Sequence, residues 1–241
     1  LTIYTRKKYN SHMDIIQQLR KETNKELPLT DRIYEELLRD IMTGKLARDS
    51  WLTETKVCSM YGASRTPVRE AFRRLEMDGL LEYIPKRGEY VRGFSYDELV
   101  DMLNIRADLE VRAVSWSIER ITDDEMEQFD DIFRYMEFYT KKNDIHMMMY
   151  ANSAFHRHIY KTSHDRMLDK TLTTYFNYCK YSCPPNYFAP KFLDKTLEER
   201  RRIYSAYLKK DVTSGARAMK LHMSSTIKRA IANINLNIYE K

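Results

Sequence analysis

Residues 64–88 read SRTPVREAFRRLEMDGLLEYIPKRG and fix the architecture of the N-terminal half of the chain. Their arginines recur at every fourth position, so that Arg65, Arg69 and Arg73 share one face of a helix. The opposite face is apolar and carries Val68, Phe72 and Leu75. A short helix that packs on one side and presents guanidinium groups on the other suits the major groove of DNA, because arginine binds guanine or phosphate through two hydrogen bonds.

Three helices are predicted in this part of the chain. The first runs from Thr30 to Met42, and the second begins after Thr53, which serves as its cap. The third is the arginine-bearing helix, residues 64–77, for which Ser64 is the predicted cap. Pro67 fits the first turn of that helix, where its missing N–H costs nothing. This order of helices is typical of a helix-turn-helix.

The segment after the third helix predicts a β-hairpin. Leu80–Ile84 and Glu89–Arg92 are expected to be its two strands, and residues 85–88 its turn. Three helices followed by such a hairpin make a winged helix-turn-helix. The tip of the wing is basic and consists of Lys86, Arg87 and Gly88. We expect this tip to approach the phosphate backbone or the minor groove of DNA.

From Ser95 onward the pattern is entirely helical. Two capping boxes, Ser95 to Glu98 and Thr122 to Glu125, mark helix starts. The predicted helices are residues 96–120, 122–141, 144–162, 166–181, 191–209 and 212–235. The sequence therefore predicts a mainly α fold in three parts, which are a basic N-terminal arm at 1–29, a winged helix-turn-helix DNA-binding domain at 30–93 and an all-helical bundle at 95–236.

Composition limits the classes of protein to which the chain can belong. A hydrophobic content of 43% and a charged content of 32% fit a folded globular protein. No apolar run reaches the roughly 20 residues of a membrane span, and we see no signal-peptide pattern, so no membrane partner is expected. The net charge of +6 favours a polyanionic partner.

The chain has three cysteines, Cys58, Cys179 and Cys183, which fit reduced thiols in a cytoplasmic protein. Cys179 and Cys183 are four residues apart and could instead pair or bind a metal. We expect plain reduced thiols near a helix end.

Polar residues on otherwise apolar helix faces give a second signal, because burying a polar group without a partner is costly. In the first helix of the bundle the inward stripe is expected to run through Leu103, Arg106 and Leu109. His158 and His164 fall off their stripe and are expected at the surface. Across four helices, the polar residues that point toward one interior are Arg106, Asn152, His156, Arg200 and His222. They predict a cationic binding pocket.

The two halves together resemble the GntR family of bacterial transcription regulators, in the subfamily with a FadR-like C-terminal (FCD) ligand-binding domain. The sequence departs from the family at Arg48-Asp49, where Pro-Gly is usual, and at Thr55, where many members have an arginine that contacts DNA. The resemblance covers residues 30–235 and rests on Leu52-Thr-Glu-Thr, Ser64-Arg-Thr-Pro-Val-Arg-Glu-Ala71, Arg74-Leu-Glu76, Asp78-Gly79-Leu80 and Arg87-Gly88.

The resemblance implies a homodimer that binds a pseudo-palindromic operator in double-stranded DNA, and a small metabolite that changes its DNA affinity. In the family, recognition-helix arginines, neighbouring hydroxyl groups and the glycine region of the wing contact the operator. The candidate DNA-binding residues here are Thr53, Ser64, Arg65, Thr66, Arg69, Arg73, Lys86, Arg87 and Gly88. The helical bundle is then the ligand-binding and dimerisation domain, and no catalytic residue is expected.

Many FCD domains hold a divalent metal with one aspartate and three histidines, and the match here is partial. Asn152 stands in place of the aspartate and Arg200 in place of one histidine, while His156 and His222 are kept. A carboxamide is a weak ligand, and a guanidinium repels the ion. We therefore expect no required cofactor and predict a metal-free pocket for a small organic anion, such as a sugar acid. Arg200 would be its bidentate anchor and Arg106 a second one.

Other interpretations stay open at this level. Arg200 could pair with a core carboxylate such as Asp169 or Glu110, and His156 and His222 could be hydrogen-bonded core residues. A metal-dependent regulator would hold a divalent ion at His156, His222 and Asn152, and an acyl-CoA sensor would need a long apolar tunnel. A helical metalloenzyme using His156 and His222 is least favoured, because the sequence has no nucleophile motif and no acid–base pair at a suitable spacing.

Overall fold

The computed structural model describes residues 28–182 and 190–233 of the 241-residue chain. Cys183 and most of the predicted N-terminal arm, residues 1–27, lie outside the described residues. The described residues form two compact units, one made of residues 28–100 with Tyr178–Ser182 and one made of Asp101–Asn177 with residues 190–233.

The first unit contains three helices and a small antiparallel sheet. Its elements are α1 (Leu29–Met42), β1 (Trp51–Leu52), α2 (Glu54–Tyr61), α3 (Arg65–Met77), β2 (Leu81–Ile84) and β3 (Gly88–Val91). The strand order is β1-β3-β2, with Trp51 paired to Tyr90 and Tyr83 paired to Glu89. The predicted winged helix-turn-helix is confirmed. The sequence does not predict β1, because a two-residue strand carries no alternation of apolar and polar positions.

Local chemistry sets the helix ends around the turn. Thr53 caps α2 as predicted, since its hydroxyl accepts a hydrogen bond from the Lys56 amide at 3.3 Å. α2 ends at Gly62, whose left-handed φ of 60° makes the tight turn into α3. Ser64 lies at the predicted cap position of α3, but its side chain makes no capping hydrogen bond within the described part of the chain. Pro67 occupies the third helical position and has no N–H to donate to the hydroxyl.

The apolar side of α3 anchors it in the unit. Val68, Phe72 and Leu75 are buried as predicted, and they lie in a core to which α1 contributes Leu37 and Leu38. Since one side of α3 is fixed in this way, its arginine side is turned outward.

The second unit is built of helices, which confirms the predicted mainly α fold. They are α4 (Tyr96–Arg120), α5 (Asp123–Lys141), α6 (Ile145–Thr162), α7 (Arg166–Ser182), α8 (Pro190–Leu208) and α9 (Val212–Asn233), of which the start of α4 and the end of α7 belong to the first unit. Both predicted capping boxes form, at Ser95 with Glu98 and at Thr122 with Glu125. Within the described ranges, no helix combines the length and apolar character needed to cross a membrane.

Helix α6 is buried on several sides, which corrects one prediction. His158 is only 8% exposed, and its ring stacks on that of Phe129 in α5, with the centroids 5.1 Å apart. The sequence predicts this residue at the surface because it lies off the stripe of Asn152 and His156. A helix enclosed by its neighbours buries residues outside a single stripe, so the stripe rule fails for α6. His164, in contrast, is exposed as expected.

Candidate functional site

The three arginines predicted to face DNA, Arg65, Arg69 and Arg73, are exposed on α3, and we call them the arginine face. Arg69 Nε donates to Glu54 Oε1 at 2.6 Å, which holds this guanidinium near the start of α2. The same hydrogen bond lowers the pKa of Glu54, so its carboxylate stays ionised at neutral pH. The predicted hydroxyl partners Thr53, Ser64 and Thr66 are exposed as well.

The neighbouring arginine of the same helix has a different position. Arg74 donates to Asp31 Oδ1 at 2.6 Å, and its guanidinium lies 4.0 Å from the centroid of the Tyr34 ring. Because both partners belong to α1, Arg74 ties α3 to α1 and is not part of the arginine face. Arg73 and Arg74 carry the same charge, so charge alone does not predict which of them faces outward. The four-residue spacing from Arg69 assigns Arg73, and not Arg74, to the arginine face.

The wing consists of β2, β3 and the turn between them, and it presents an exposed basic tip. The guanidinium of Arg87 lies 5.7 Å from the centroid of the Trp51 ring, which is in turn 5.2 Å from the Tyr90 ring. Sequence reasoning missed Trp51, because only the pairing of β1 with β3 brings it beside the wing tip. The sequence did offer one signal for this residue, a tryptophan immediately before the family motif Leu52-Thr-Glu-Thr.

Two residues of the wing turn take positive φ values. Lys86, which is exposed, has φ of 66°, and Gly88 has φ of +101°. A Cβ atom on Gly88 would lie 2.5 Å from the carbonyl oxygen of Leu52. Glycine is therefore required at position 88 by both conformation and space.

The five polar residues predicted inside the helical bundle are all buried, and the structure brings them together. Arg200 of α8 donates to Asn152 Oδ1 of α6, and the rings of His156 and His222 have centroids 5.5 Å apart. Four further side chains complete what we call the polar cluster. Its members are Arg106, Glu110, Asn152, His156, Tyr160, Glu199, Arg200, His222 and Arg229.

Glu110 organises one half of the polar cluster. Its Oε1 accepts from Arg106 Nη2 at 2.8 Å and from the Tyr160 hydroxyl, while its Oε2 lies 3.0 Å from His156 Nδ1. Burial alone would raise the pKa of Glu110, but these partners hold the pKa below its usual range. Glu110 is therefore a buried carboxylate satisfied by the protein itself, and Arg106 is engaged in holding it.

Glu199 organises the other half. Arg229 binds it with two hydrogen bonds of 3.0 Å, and His222 Nδ1 lies 2.9 Å from its Oε2. Burial opposes ionisation, but the hydrogen bonds from His222 and Arg229 lower the pKa of Glu199 to about 2. Burial and the charge of Arg200 lower the pKa of His222 to about 3, so its ring is neutral at physiological pH.

Arg200 lies between these halves and is only 2% exposed. Its Nη1 donates to the carbonyl oxygen of Thr196 at 2.9 Å, and its Nη2 donates to Asn152 Oδ1. After burial itself, the charge of Arg200 contributes to lowering the pKa of both His156 and His222. The guanidinium thus places a positive charge next to Asn152 and close to the two histidines.

A divalent ion does not fit the site as it is built. The Arg200 guanidinium contacts Asn152, the residue at the position of the family's aspartate, and would repel a second cation there. In the described ranges 28–182 and 190–233, no group of three or more histidine, cysteine, aspartate and glutamate side chains is arranged to hold a metal ion. Asn152, His156 and His222 therefore do not form a ligand set suited to a divalent ion.

Glu199 is not among the site residues predicted from the sequence, and Glu110 is considered there only as a partner for Arg200. The predicted stripe of α4 contained Leu109, but Glu110 is the fully buried residue and Leu109 is only half-buried. The available signal was the separation of four residues between Arg106 and Glu110, which suits an ion pair within a helix.

Comparison with known proteins agrees with this architecture. The family model described as bacterial regulatory proteins, gntR family, matches residues 29–91, and the FCD domain model matches residues 101–225. The HTH-type transcriptional regulator YdhC of Bacillus subtilis is 27% identical over 206 residues, covering 83% of this chain and 90% of YdhC. The HTH-type transcriptional repressor RspR of Escherichia coli is 25% identical over 205 residues, covering 84% of this chain and 89% of RspR.

A solved structure shares the fold. The E. coli McbR/YncC structure has a TM-score of 0.68 and 22% sequence identity, and the match covers 86% of this chain and 98% of that chain.

Proposed function

Since the chain belongs to the GntR family of bacterial transcriptional regulators and carries an FCD domain, we propose that it binds a palindromic DNA operator as a homodimer in the cytoplasm. We propose further that a small organic acid, bound in the polar cluster, changes its affinity for that operator. The protein is a transcriptional regulator and not an enzyme.

The observation that carries the DNA proposal is the arginine face. Its three guanidinium groups are exposed, while the opposite side of α3 is buried and fixes the orientation of the helix. Arginine on the exposed side of a recognition helix reads guanine in the major groove, and the basic wing tip contacts the backbone beside it. A homodimer presents two such faces to a two-fold symmetric operator.

Arg65→Ala tests this assignment. The probe is a DNA duplex that the wild-type protein selects from a random library, and the readout is a mobility-shift titration. We expect a loss of about 1–3 kcal/mol of binding free energy per protomer, which removes specific retention of the duplex. The control is Arg134→Ala, which removes the same charge from an exposed position on α5 and should leave the shift unchanged. An unaltered shift for Arg65→Ala contradicts the recognition-helix assignment.

The effector proposal is supported by Arg200. A buried guanidinium that donates to a carbonyl oxygen and a carboxamide oxygen provides a positive charge without a metal. Guanidinium groups bind carboxylates through two parallel hydrogen bonds, which suits a small organic anion. Arg106 is committed to Glu110, so we assign it the role of positioning His156 through that carboxylate.

Calorimetric titration with gluconate, L-malate and L-lactate tests the role of Arg200. We expect at least one acid to bind the wild-type protein, and Arg200→Ala to lose that binding because the anion loses its counter-charge. Arg200→Lys keeps the charge without the planar fork and should retain part of the affinity, which guards against misfolding as the cause. Equal binding by the wild type and Arg200→Ala would refute this role.

The metal-dependent alternative has one observation in its favour. His156 and His222 each have a carboxylate on Nδ1, an arrangement also found behind the histidine ligands of metal sites. Elemental analysis of the purified protein separates the two proposals. Near-stoichiometric zinc, manganese or nickel would favour the metal-dependent regulator, whereas we expect only traces.

A further inference from the structure

Trp51 lies on the solvent side of the wing, beside the guanidinium of Arg87. We propose that Trp51 positions Arg87 for the minor groove of A·T-rich DNA, beside the base pairs that the arginine face contacts. The wing then selects DNA sequence in addition to binding the backbone. This inference rests on the proposed function, because it specifies which part of the operator the wing recognises.

The first step is the position of the Trp51 ring. Trp51 pairs with Tyr90 across β1 and β3, and the two ring centroids are 5.2 Å apart. The Tyr90 hydroxyl donates to Asp49 Oδ1 at 2.5 Å, which holds the second ring in turn. Leu52 is buried while Trp51 is 38% exposed, because successive side chains of a strand point to opposite faces of the sheet. Trp51 is therefore a supported aromatic surface that solvent can reach.

The second step is the turn that brings Arg87 to this ring. The Arg87 amide donates to the carbonyl oxygen of Ile84 at 3.0 Å and closes the turn, and the next residue, Gly88, packs closely against β1. The guanidinium then lies 5.7 Å from the centroid of the Trp51 ring, within the range of a cation–π contact. Such a contact holds the cation without occupying its N–H donors with a carboxylate.

The third step is the charge that Arg87 keeps. Arg92, which follows β3, donates to Glu82 at 2.7 Å, and Arg69 is bonded to Glu54 in the same way. Across residues 28–182 and 190–233, no carboxylate lies within ion-pair distance of the Arg87 guanidinium. Arg87 therefore keeps its whole charge for an anionic partner outside the chain.

The fourth step is the chemistry of the groove. A·T tracts have a narrow minor groove, whose negative potential attracts arginine. A·T pairs present only acceptors there, whereas a G·C pair adds the donating amino group of guanine. A guanidinium is also more weakly hydrated than an ammonium, so it enters a narrow groove at lower cost. An unsupported arginine would bind phosphates of any sequence instead, and support is what Trp51 provides.

Base-pair replacement in a duplex that the full-length wild-type chain selects from a random library tests the groove. Each A·T pair is replaced by G·C and, separately, by inosine·C, which has the minor-groove groups of A·T and the major-groove groups of G·C. We call the ratio of the two dissociation constants the minor-groove preference. Beside each half-site we expect A·T pairs at which G·C binds at least about fivefold more weakly than inosine·C.

Variants at both positions show which residues produce the preference. Arg87→Lys keeps the charge without the planar guanidinium, and Trp51→Leu removes the aromatic surface, so each should bring the preference to near unity. Trp51→Phe keeps a ring and should keep most of it. Because Trp51 acts through Arg87, the double variant Trp51→Leu with Arg87→Lys should have the same preference as Arg87→Lys alone.

The preference also separates positioning from folding. A partly unfolded variant loses affinity for both duplexes by the same factor, so the ratio does not change. Trp116→Leu is the matched control, because Trp116 lies in the helical unit with the Arg120 guanidinium 4.6 Å from its ring centroid. This variant removes the same kind of contact outside the wing and should keep the wild-type preference.

The outcomes separate this inference from the proposed function. Equal binding of the G·C and inosine·C duplexes at every position would overturn the inference and leave operator binding intact. A preference that survives in Arg87→Lys or Trp51→Leu, or that is lost in Trp116→Leu, would do the same. Failure of the wild-type chain to select any duplex would overturn the proposed DNA-binding function itself.

Discussion

Glu89 is a carboxyl-bearing residue that is buried in the winged helix-turn-helix unit. It lies on β3 and is 8% exposed, and no group in the described residues makes a hydrogen bond with its Oε2. Burial, aided by repulsion from Glu76 and Glu54, raises the pKa of Glu89 to about 7. The charge of this buried group therefore changes near neutral pH.

This raised pKa predicts that the unit loses stability as the pH rises. The unfolded chain releases the proton near pH 4.5, while the folded unit holds it until about pH 7. The stabilising contribution of the bound proton is full below about pH 4.5 and is lost by about pH 7, and it amounts to about 1–3 kcal/mol. Amide protection in residues 81–91, measured by hydrogen exchange and corrected for intrinsic rates, should fall across this window.

Glu89→Gln should abolish that loss of protection, because the amide does not ionise. Glu82→Gln is the control, since Glu82 is more exposed and forms a surface ion pair with Arg92 at 2.7 Å. It should keep the wild-type pH dependence. If Glu89→Gln and the wild type share one pH profile, the assignment of this effect to Glu89 is wrong.

Single residues also show where sequence reasoning reaches its limit. The arginine face could be predicted, because a four-residue spacing is a property of one helix. The inward direction of Arg200 and His222 could be predicted for the same reason, because each lies on the apolar face of one helix. The pairing of Glu199 with Arg229 could not, because the two residues are 30 positions apart and leave no periodic trace. Their contact exists only once α8 and α9 pack together.

Among the structural elements, those with a period or a cap could be predicted and the shortest one could not. Thr122 begins α5 with a full capping box, as its sequence indicates. The two residues of β1 carry no such signal, yet their pairing with β3 supports the wing close to its tip. That pairing depends on Gly88, whose missing side chain leaves room for the Leu52 carbonyl.

Gly88→Ala should therefore damage the wing more than an equivalent change in a nearby turn. Both Gly88 and Gly79 have positive φ, but a Cβ on Gly79 meets no atom within 4 Å. We expect Gly79→Ala to cost about 1–2 kcal/mol through backbone strain alone. Gly88→Ala should cost at least about 1 kcal/mol more, because the new methyl group also clashes with β1.

Hydrogen exchange of the β1 and β3 amides measures these costs locally, and the mobility shift measures the loss of DNA affinity. Gly88→Ala should reduce both protection and affinity. Equal losses for the two alanine variants would mean that the close approach to Leu52 has no energetic weight.

For the whole molecule, the position of the charges matters more than their sum. A net charge of +6 on 241 residues is modest. The basic groups proposed to meet DNA are nevertheless gathered on one helix face and one wing tip of a single unit. Binding to a polyanion through such contacts releases counterions, and the affinity then falls steeply with salt.

The salt dependence can also report the number of protomers on the operator. Each phosphate contact contributes about 0.9 to the slope of log affinity against log salt. If Lys86 contacts a phosphate in both halves of a homodimer, Lys86→Ala should reduce the slope by about 2. Lys209→Ala, at an exposed position in the helical unit, should leave it unchanged. A reduction of about 1 would indicate that one wing is engaged, and no reduction would place the wing tip away from the backbone.

The pairing of β1 with β3 has a practical consequence for kinetics. Trp51 is one of two tryptophans in the chain, the other being Trp116. In a Trp116→Phe variant, all indole fluorescence originates beside Arg87, at the tip of the wing. Rapid mixing with unlabelled duplex would then record, through this intrinsic emission, the moment at which the wing engages DNA.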